Sequence, residues 1–220
     1  GAGTAGEAGT TPDAAPRQVM LVTLDTTRAD AIGAWGGPPT PTLDRLAAAG
    51  TRFAHAVTPS PLTLPAHASL LTGREPLDHG LRHNSGGRLA PELPTLAEVV
   101  RRHGWTTAAF VASLVLDRRV GLDRGFDAYD DRLVADRVGQ YGIPERDAAA
   151  VADLALPWLA ARRSDESFLL WVHFFDPHAP YEAPGTTDRE RYLGEIAKVD
   201  RELGRLVAAL PADALVVVVG

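Results

Sequence analysis

QVMLVTLD, residues 18–25, is an unbroken apolar run, rich in β-branched residues, that stops at a carboxylate. A strand with only one buried face alternates apolar with polar. A run without alternation reads as a strand covered on both sides, the signature of a parallel sheet. Working outward, the same character returns in TTAAFVAS (106–113), SFLLWVHFF (167–175) and ALVVVVG (214–220), and TRFAHAV (51–57) reads as a further short strand. Helical patterns fill the gaps. TPTLDRLAAAG (40–50) has Pro41 in its first turn and Gly50 as its stop, and PLTLPAHASLLTG (61–73) opens at Thr63 and Pro65. In TLAEVVRRHG (95–104), Thr95 and Glu98 form a capping box and Gly104 closes the helix. RDAAAVADLALPWLAARR (146–163) is helical, with a kink or break expected at Pro157, and RERYLGEIAKVDRELGRLVAAL (189–210) is a long amphipathic helix. Strand-then-helix order without an internal repeat predicts an α/β fold: a mostly parallel sheet with helices on both faces.

The chain has 220 residues, 45% of them hydrophobic, enough for one sizeable core, so residues 18–220 are expected to form one domain. Residues 1–17 begin with GAGTAGEAGTTPDAAP, a Gly, Ala, Thr and Pro mixture that reads as a disordered linker. We expect it to follow a removed export or lipid-attachment segment, which would make the protein extracytoplasmic, periplasmic or lipid-tethered. The formal charge of −6 is dispersed along the chain, with no basic stripe for nucleic acid. Cysteine is absent, which removes thiolate chemistry and cysteine metal sites, so any metal is held by oxygen and nitrogen. The longest apolar runs are too short to cross a bilayer.

In such sheets ligands gather beyond the carboxyl ends of the strands. Asp25 ends the first strand; Asp176 and His178 follow SFLLWVHFF directly; Thr63, Pro65 and His67 open a helix whose free N–H groups suit an anion. Three separate pieces of sequence thus point to one rim. Each has a plainer reading. Thr63 could simply cap its helix, Asp25 could cap or pair locally, and His67 could lie on the surface. His173, inside an apolar strand, reads as a hydrogen-bonded core residue or as one that supports the site's ligands from behind, and Arg28 with Asp30 as a local charge pair or cap. His55, His79, His83 and His103 have no partner visible in sequence. The stretch 114–146 carries no ligand pattern and reads as solvated surface.

VMLVTLDTTRADAIGAWGG, TPTLDRLAAAGTRFAHAVTPSPLTLPAHASLLTG and HFFDPHAPY with GEIAKVDRELGRLVAAL resemble, in order and spacing, the sulfatase branch of the alkaline phosphatase superfamily. The resemblance covers nearly everything after residue 17. It implies an alkaline-phosphatase-like α/β/α sandwich and a metal-dependent hydrolase of sulfate or phosphate esters, on small molecules or glycans. Thr63 falls at the nucleophile position, where the family usually has Cys or Ser, and His67 falls where it has Arg. Threonine is not a usual substrate for conversion to formylglycine, so none is expected, and the expectation tilts toward phosphoesters. The implied roles are Thr63 as nucleophile, Asp25 and Thr63 as metal ligands, and His178 holding the anion or assisting the leaving oxygen. His67 would take part of the arginine's role, and Asn84 in HGLRHN would touch the substrate. Thr26 stands where many sulfatases have a second metal-binding Asp.

The implied cation is divalent: calcium, or zinc or manganese for a phosphoesterase. Asp25 and Thr63 supply two oxygens, whereas such an ion takes four or more donors. In the family the others follow the strand that here is ALVVVVG, so we expect this chain to be the amino-terminal part of a longer enzyme, turning over little by itself. A phospho-headgroup transferase of the same superfamily and a non-catalytic anion-binding relative are the alternatives.

Overall fold

The computed structural model describes residues 17–133 and 144–220; the expected linker, apart from residue 17, lies outside them. Five parallel strands form the sheet: β1 (Gln18–Leu24), β2 (Thr106–Phe110), β3 (Ala128–Asp130), β4 (Phe168–Phe174) and β5 (Leu215–Val219). They lie in the order β3-β2-β4-β1-β5. The helices are α1 (Pro41–Ala49), α2 (Thr63–Thr72), α3 (Pro76–His79), α4 (Leu96–Arg102), α5 (Ala148–Ala160) and α6 (Asp188–Ala208).

The two faces of the sheet carry separate cores. On one, Met20, Val22 and Leu24 of β1 and Phe168, Leu170 and Val172 of β4 pack with Leu43 of α1, Val151 and Ala155 of α5 and Leu203 of α6. On the other, Leu21, Ala109 and Trp171 meet Leu64, Ala68 and Leu71 of α2. Double coverage is why β1 and β4 read as continuous apolar runs. β5 differs: as an edge strand it buries Val216 and Val218 partly against the first core and leaves Leu215, Val217 and Val219 exposed.

Local signals hold the helices where the chain chemistry puts them. Thr95 and Glu98 make the expected capping box. A second one, Thr187 with Glu190, starts α6. Pro157 lies inside α5, which continues through it to Ala160, so the expected division does not occur. Buried Asp200 of α6 caps α1 from a distance, accepting from Thr42 N–H at 3.0 Å and Leu43 N–H at 2.8 Å.

Two expectations are corrected. TRFAHAV is not a strand: residues 51–57 run irregularly with Phe53 and Val57 exposed, because no neighbouring strand among the described residues offers them a ladder. The stretch 114–146 is not all surface: it supplies β3, too short to show a period, and Arg146, buried and paired with Asp130 at 2.7 Å. No helix among the described residues is long and apolar enough to cross a membrane.

Candidate active site

Asp25 is the first residue beyond β1, its N–H held by Phe174 O of the adjacent β4 at 3.0 Å. That bond carries the ladder one residue past β1 and sets the carboxylate at the carboxyl rim of the two central strands. Thr63 begins α2 on the facing layer, and its Oγ1 donates to Asp25 Oδ2 at 2.9 Å. The capping alternative therefore fails: the residue before α2 is Leu62, no side chain caps it there, and the Thr63 hydroxyl points to the carboxylate.

The start of α2 is not an open anion nest. Leu64 N–H donates to Asn84 Oδ1 at 2.9 Å, Pro65 has no N–H, and Ala66 N–H bonds Leu62 O at 3.1 Å. Asn84 thus sits at the site as the acceptor that anchors the first turn of α2. His79, left without a role by sequence, is buried and pins α3 to α2: its Nδ1 accepts from Leu81 N–H at 3.1 Å, which leaves Nε2 to donate to Ser69 Oγ at 3.0 Å.

Two imidazoles close the floor. His67, one turn after Thr63, donates from Nδ1 to the Thr63 carbonyl at 2.7 Å, and its buried Nε2 has no partner. Burial, then the neighbouring His173, pushes its pKa down to about 4. It is neutral at pH 7, with its one N–H already engaged, and so presents a lone pair where the resemblance implied a share of a cationic clamp. His173 is fully buried, edge-on to His67 at 4.9 Å between ring centroids, with Nε2 3.5 Å from Asp25 Oδ2 and no hydrogen bond on either nitrogen. Of its two readings, the place beside Asp25 fits a residue standing behind the site rather than a hydrogen-bonded core histidine. Alternation was the available signal: His173 is in phase with Trp171, on the α2 face.

Burial works against a charged Asp25. It is outweighed by the close approach and charge of His173, the charge His67 carries once protonated at low pH, and the hydrogen bond from Thr63, which leave the carboxyl below its ordinary range. Asp25 is therefore an anion at neutral pH.

His178 lies farther out on the rim. Its ring stacks on Phe175 at 4.3 Å and 15°, and Nδ1 donates to Ala179 O at 2.8 Å; no hydrogen bond joins it to Asp25 or Thr63. Its segment is anchored from below, where Lys198 Nζ bridges buried Asp176 at 3.3 Å and Asp147 at 3.0 Å. Arg28 and Asp30 form an exposed pair at 2.7 Å.

For a cation, the donor chemistry fits at two positions: an ionised carboxylate oxygen and a hydroxyl oxygen 2.9 Å apart can share one ion. Among the described residues no three His, Asp or Glu side chains converge as a metal site.

The fold is an alkaline-phosphatase-like α/β/α sandwich with a parallel sheet, and a hydroxyl and a carboxylate meet at the rim of its central strands. The profile of the Sulfatase family matches residues 17–220, and the chain belongs to that family. It is similar to bovine (Bos taurus) arylsulfatase A, 39% identical over 101 residues that cover 43% of this chain and 20% of that protein. It is also similar to human (Homo sapiens) N-acetylgalactosamine-6-sulfatase, 25% identical over 244 residues covering 89% of this chain and 47% of that one. Among solved structures, the phosphonate monoester hydrolase of Agrobacterium radiobacter superposes with a TM-score of 0.72 at 20% identity, over 92% of this chain and 62% of that one. The chain thus spans less than half the length of these curated relatives.

Proposed function

We propose that this chain carries the nucleophile of a metal-dependent hydrolase of sulfate or phosphate esters, with Thr63 as the attacking residue and phosphoesters favoured. The observation that carries the reading is the 2.9 Å bond between Thr63 Oγ1 and Asp25 Oδ2. Family membership supports ester hydrolysis, and the phosphonate monoester hydrolase among the structural neighbours has the same fold. A divalent cation, when bound, would be held in part by Asp25 and Thr63 and would supply Lewis-acid stabilisation of the negative charge that develops on the transferring group. Two oxygens do not complete such a site, so further donors are required.

The chain's own residues do the following. Asp25 orients the Thr63 hydroxyl and accepts its hydrogen bond. Thr63 Oγ1 attacks phosphorus or sulfur in line, the new Oγ1–P or Oγ1–S bond forming as the bond to the ester oxygen breaks and the hydroxyl proton passes to that oxygen, which leaves as the alcohol. Water then attacks the covalent ester, releases phosphate or sulfate and returns the proton to Thr63. His67 holds the first turn of α2 through the Thr63 carbonyl, Asn84 holds it through Leu64 N–H, and the Asn84 amide NH₂ offers donors to the substrate. His178 assists the leaving oxygen from the rim. Glycan or small-molecule esters outside the cytoplasm are the substrates we assign to it.

In the full-length protein, assayed on aryl sulfate, aryl phosphate mono- and diester and aryl phosphonate, Thr63→Ala is expected to lose at least about 10³-fold in kcat while Thr63→Ser retains turnover. Equal rates for wild type and Thr63→Ala would remove the nucleophile assignment.

A further inference from the structure

Just beyond the Asp25 that meets Thr63, the chain turns sharply. The next residue, Thr26, has φ +50°, the one non-glycine at positive φ among the described residues. A β-branched side chain in the left-handed region is strained, and such a conformation persists only where its surroundings impose it.

Chief among the surroundings here is one phenol. The hydroxyl of Tyr192, in the first turns of α6, donates to the Thr26 carbonyl at 2.9 Å and accepts from the Arg28 N–H at 2.9 Å. A single oxygen thus grips the turn on both sides, while Thr27 Oγ1 bonds back to Asp25 O at 3.3 Å. The Tyr192 ring meets Tyr181 edge-on at 5.5 Å. Tyr181 closes the DPHAPY segment that carries His178, so α6 ties the turn after β1 to the segment after β4.

We propose that Tyr192 is a positioning residue: its hydroxyl holds the strained Thr26 turn and thereby keeps the Asp25 carboxylate aimed at Thr63. Without the hydroxyl, the turn relaxes toward negative φ and the carboxylate swings with it. Glycine adopts φ +50° freely, so Thr26→Gly removes the need for the clamp. A side chain that merely packed would show no such dependence on residue 26.

The kinetic readout rests on the hydrolase reading above. In the full-length protein, with the aryl ester it turns over, Tyr192→Phe is expected to lower kcat by about 10- to 100-fold with KM little changed, as a misplaced catalytic group does. The exchange of the Arg28 amide, followed by NMR, should accelerate in the same variant. Adding Thr26→Gly should recover most of kcat while Arg28 exchange stays fast, because the turn is relaxed but its acceptor is still missing. An unchanged kcat in Tyr192→Phe alongside faster Arg28 exchange overturns the positioning role, as does failure of Thr26→Gly to restore kcat. Turnover by Thr63→Ala at the wild-type rate overturns the nucleophile reading itself, and with it the aim the clamp serves.

Discussion

The two layers beside the sheet are built to different standards of satisfaction. Beneath one face, α5 and α6 press Val151, Ala155, Leu203 and Leu206 against Phe168 and Leu170, a core of hydrocarbon whose members are all almost fully buried. Across the other face α2 is equally buried at Leu64, Ala68 and Leu71, yet its amino-terminal end brings His67 and His173 together with three imidazole nitrogens unpaired. Buried polar atoms without partners are destabilising. The contrast supports the proposed reading, with stability in the α5/α6 layer and chemistry at the rim of the α2 layer, where the unfavourable contacts surround Asp25 and Thr63.

Substitution in each layer sharpens that contrast. Leu203→Ala, which opens a cavity in the α5/α6 layer, should destabilise by roughly 3–4 kcal/mol in chemical denaturation, with kcat of the folded fraction unchanged. A drop in kcat of the folded protein would show that the layers are not separable.

A smaller effect is expected from His67. Its folded pKa, about 4, lies below the ordinary 6.5, so the unfolded chain takes up a proton that the buried ring refuses. With chelator present, stability should be level above pH 6.5 and should fall as the pH drops from there toward 4, by on the order of 3 kcal/mol. Asp25 acts in the same sense but lower: its depressed pKa gives stability that is full above the ordinary carboxylate value and is lost as the pH falls through the folded one. His67→Gln should reduce the first slope, leaving the share of His79, whose pKa burial also lowers, and should weaken the second by removing one of the charges that lower Asp25. A wild-type profile flat between pH 6.5 and 4 would contradict the burial of a neutral ring.

The smallest effect belongs to Asn84. Asn84→Ala removes the acceptor for Leu64 N–H and should cost about 1 kcal/mol, as loss of a helix cap does, whereas Asn84→Asp should keep most of it. Equal stability of both variants would leave α2 anchored by His79 and His67 alone.

Most of the architecture was legible because its causes are local. β1 and β4 are continuous apolar runs because both their faces are covered, and the Thr95–Glu98 capping box is written three residues apart. β3 escaped notice because three residues show no period, and TRFAHAV misled because its composition suits a strand but pairing is a property of neighbours. The pairing of Asp25 with Thr63 was legible only through the strand-end rule and family spacing. His173 was hidden by the apolar run that buries it. Tyr192 stands 166 positions from the carbonyl it holds, in a helix whose pattern announces only amphipathicity, and nothing local in the sequence marks it.

The most direct test of the account is chemical capture of the intermediate. Turnover of an aryl ester by the full-length protein is quenched in acid, and the proteolytic peptides are mapped by mass spectrometry. A phosphoryl or sulfuryl group on Thr63, within residues 61–73, is the predicted result. An unmodified Thr63 in a protein that accumulates the adduct on another side chain would contradict it.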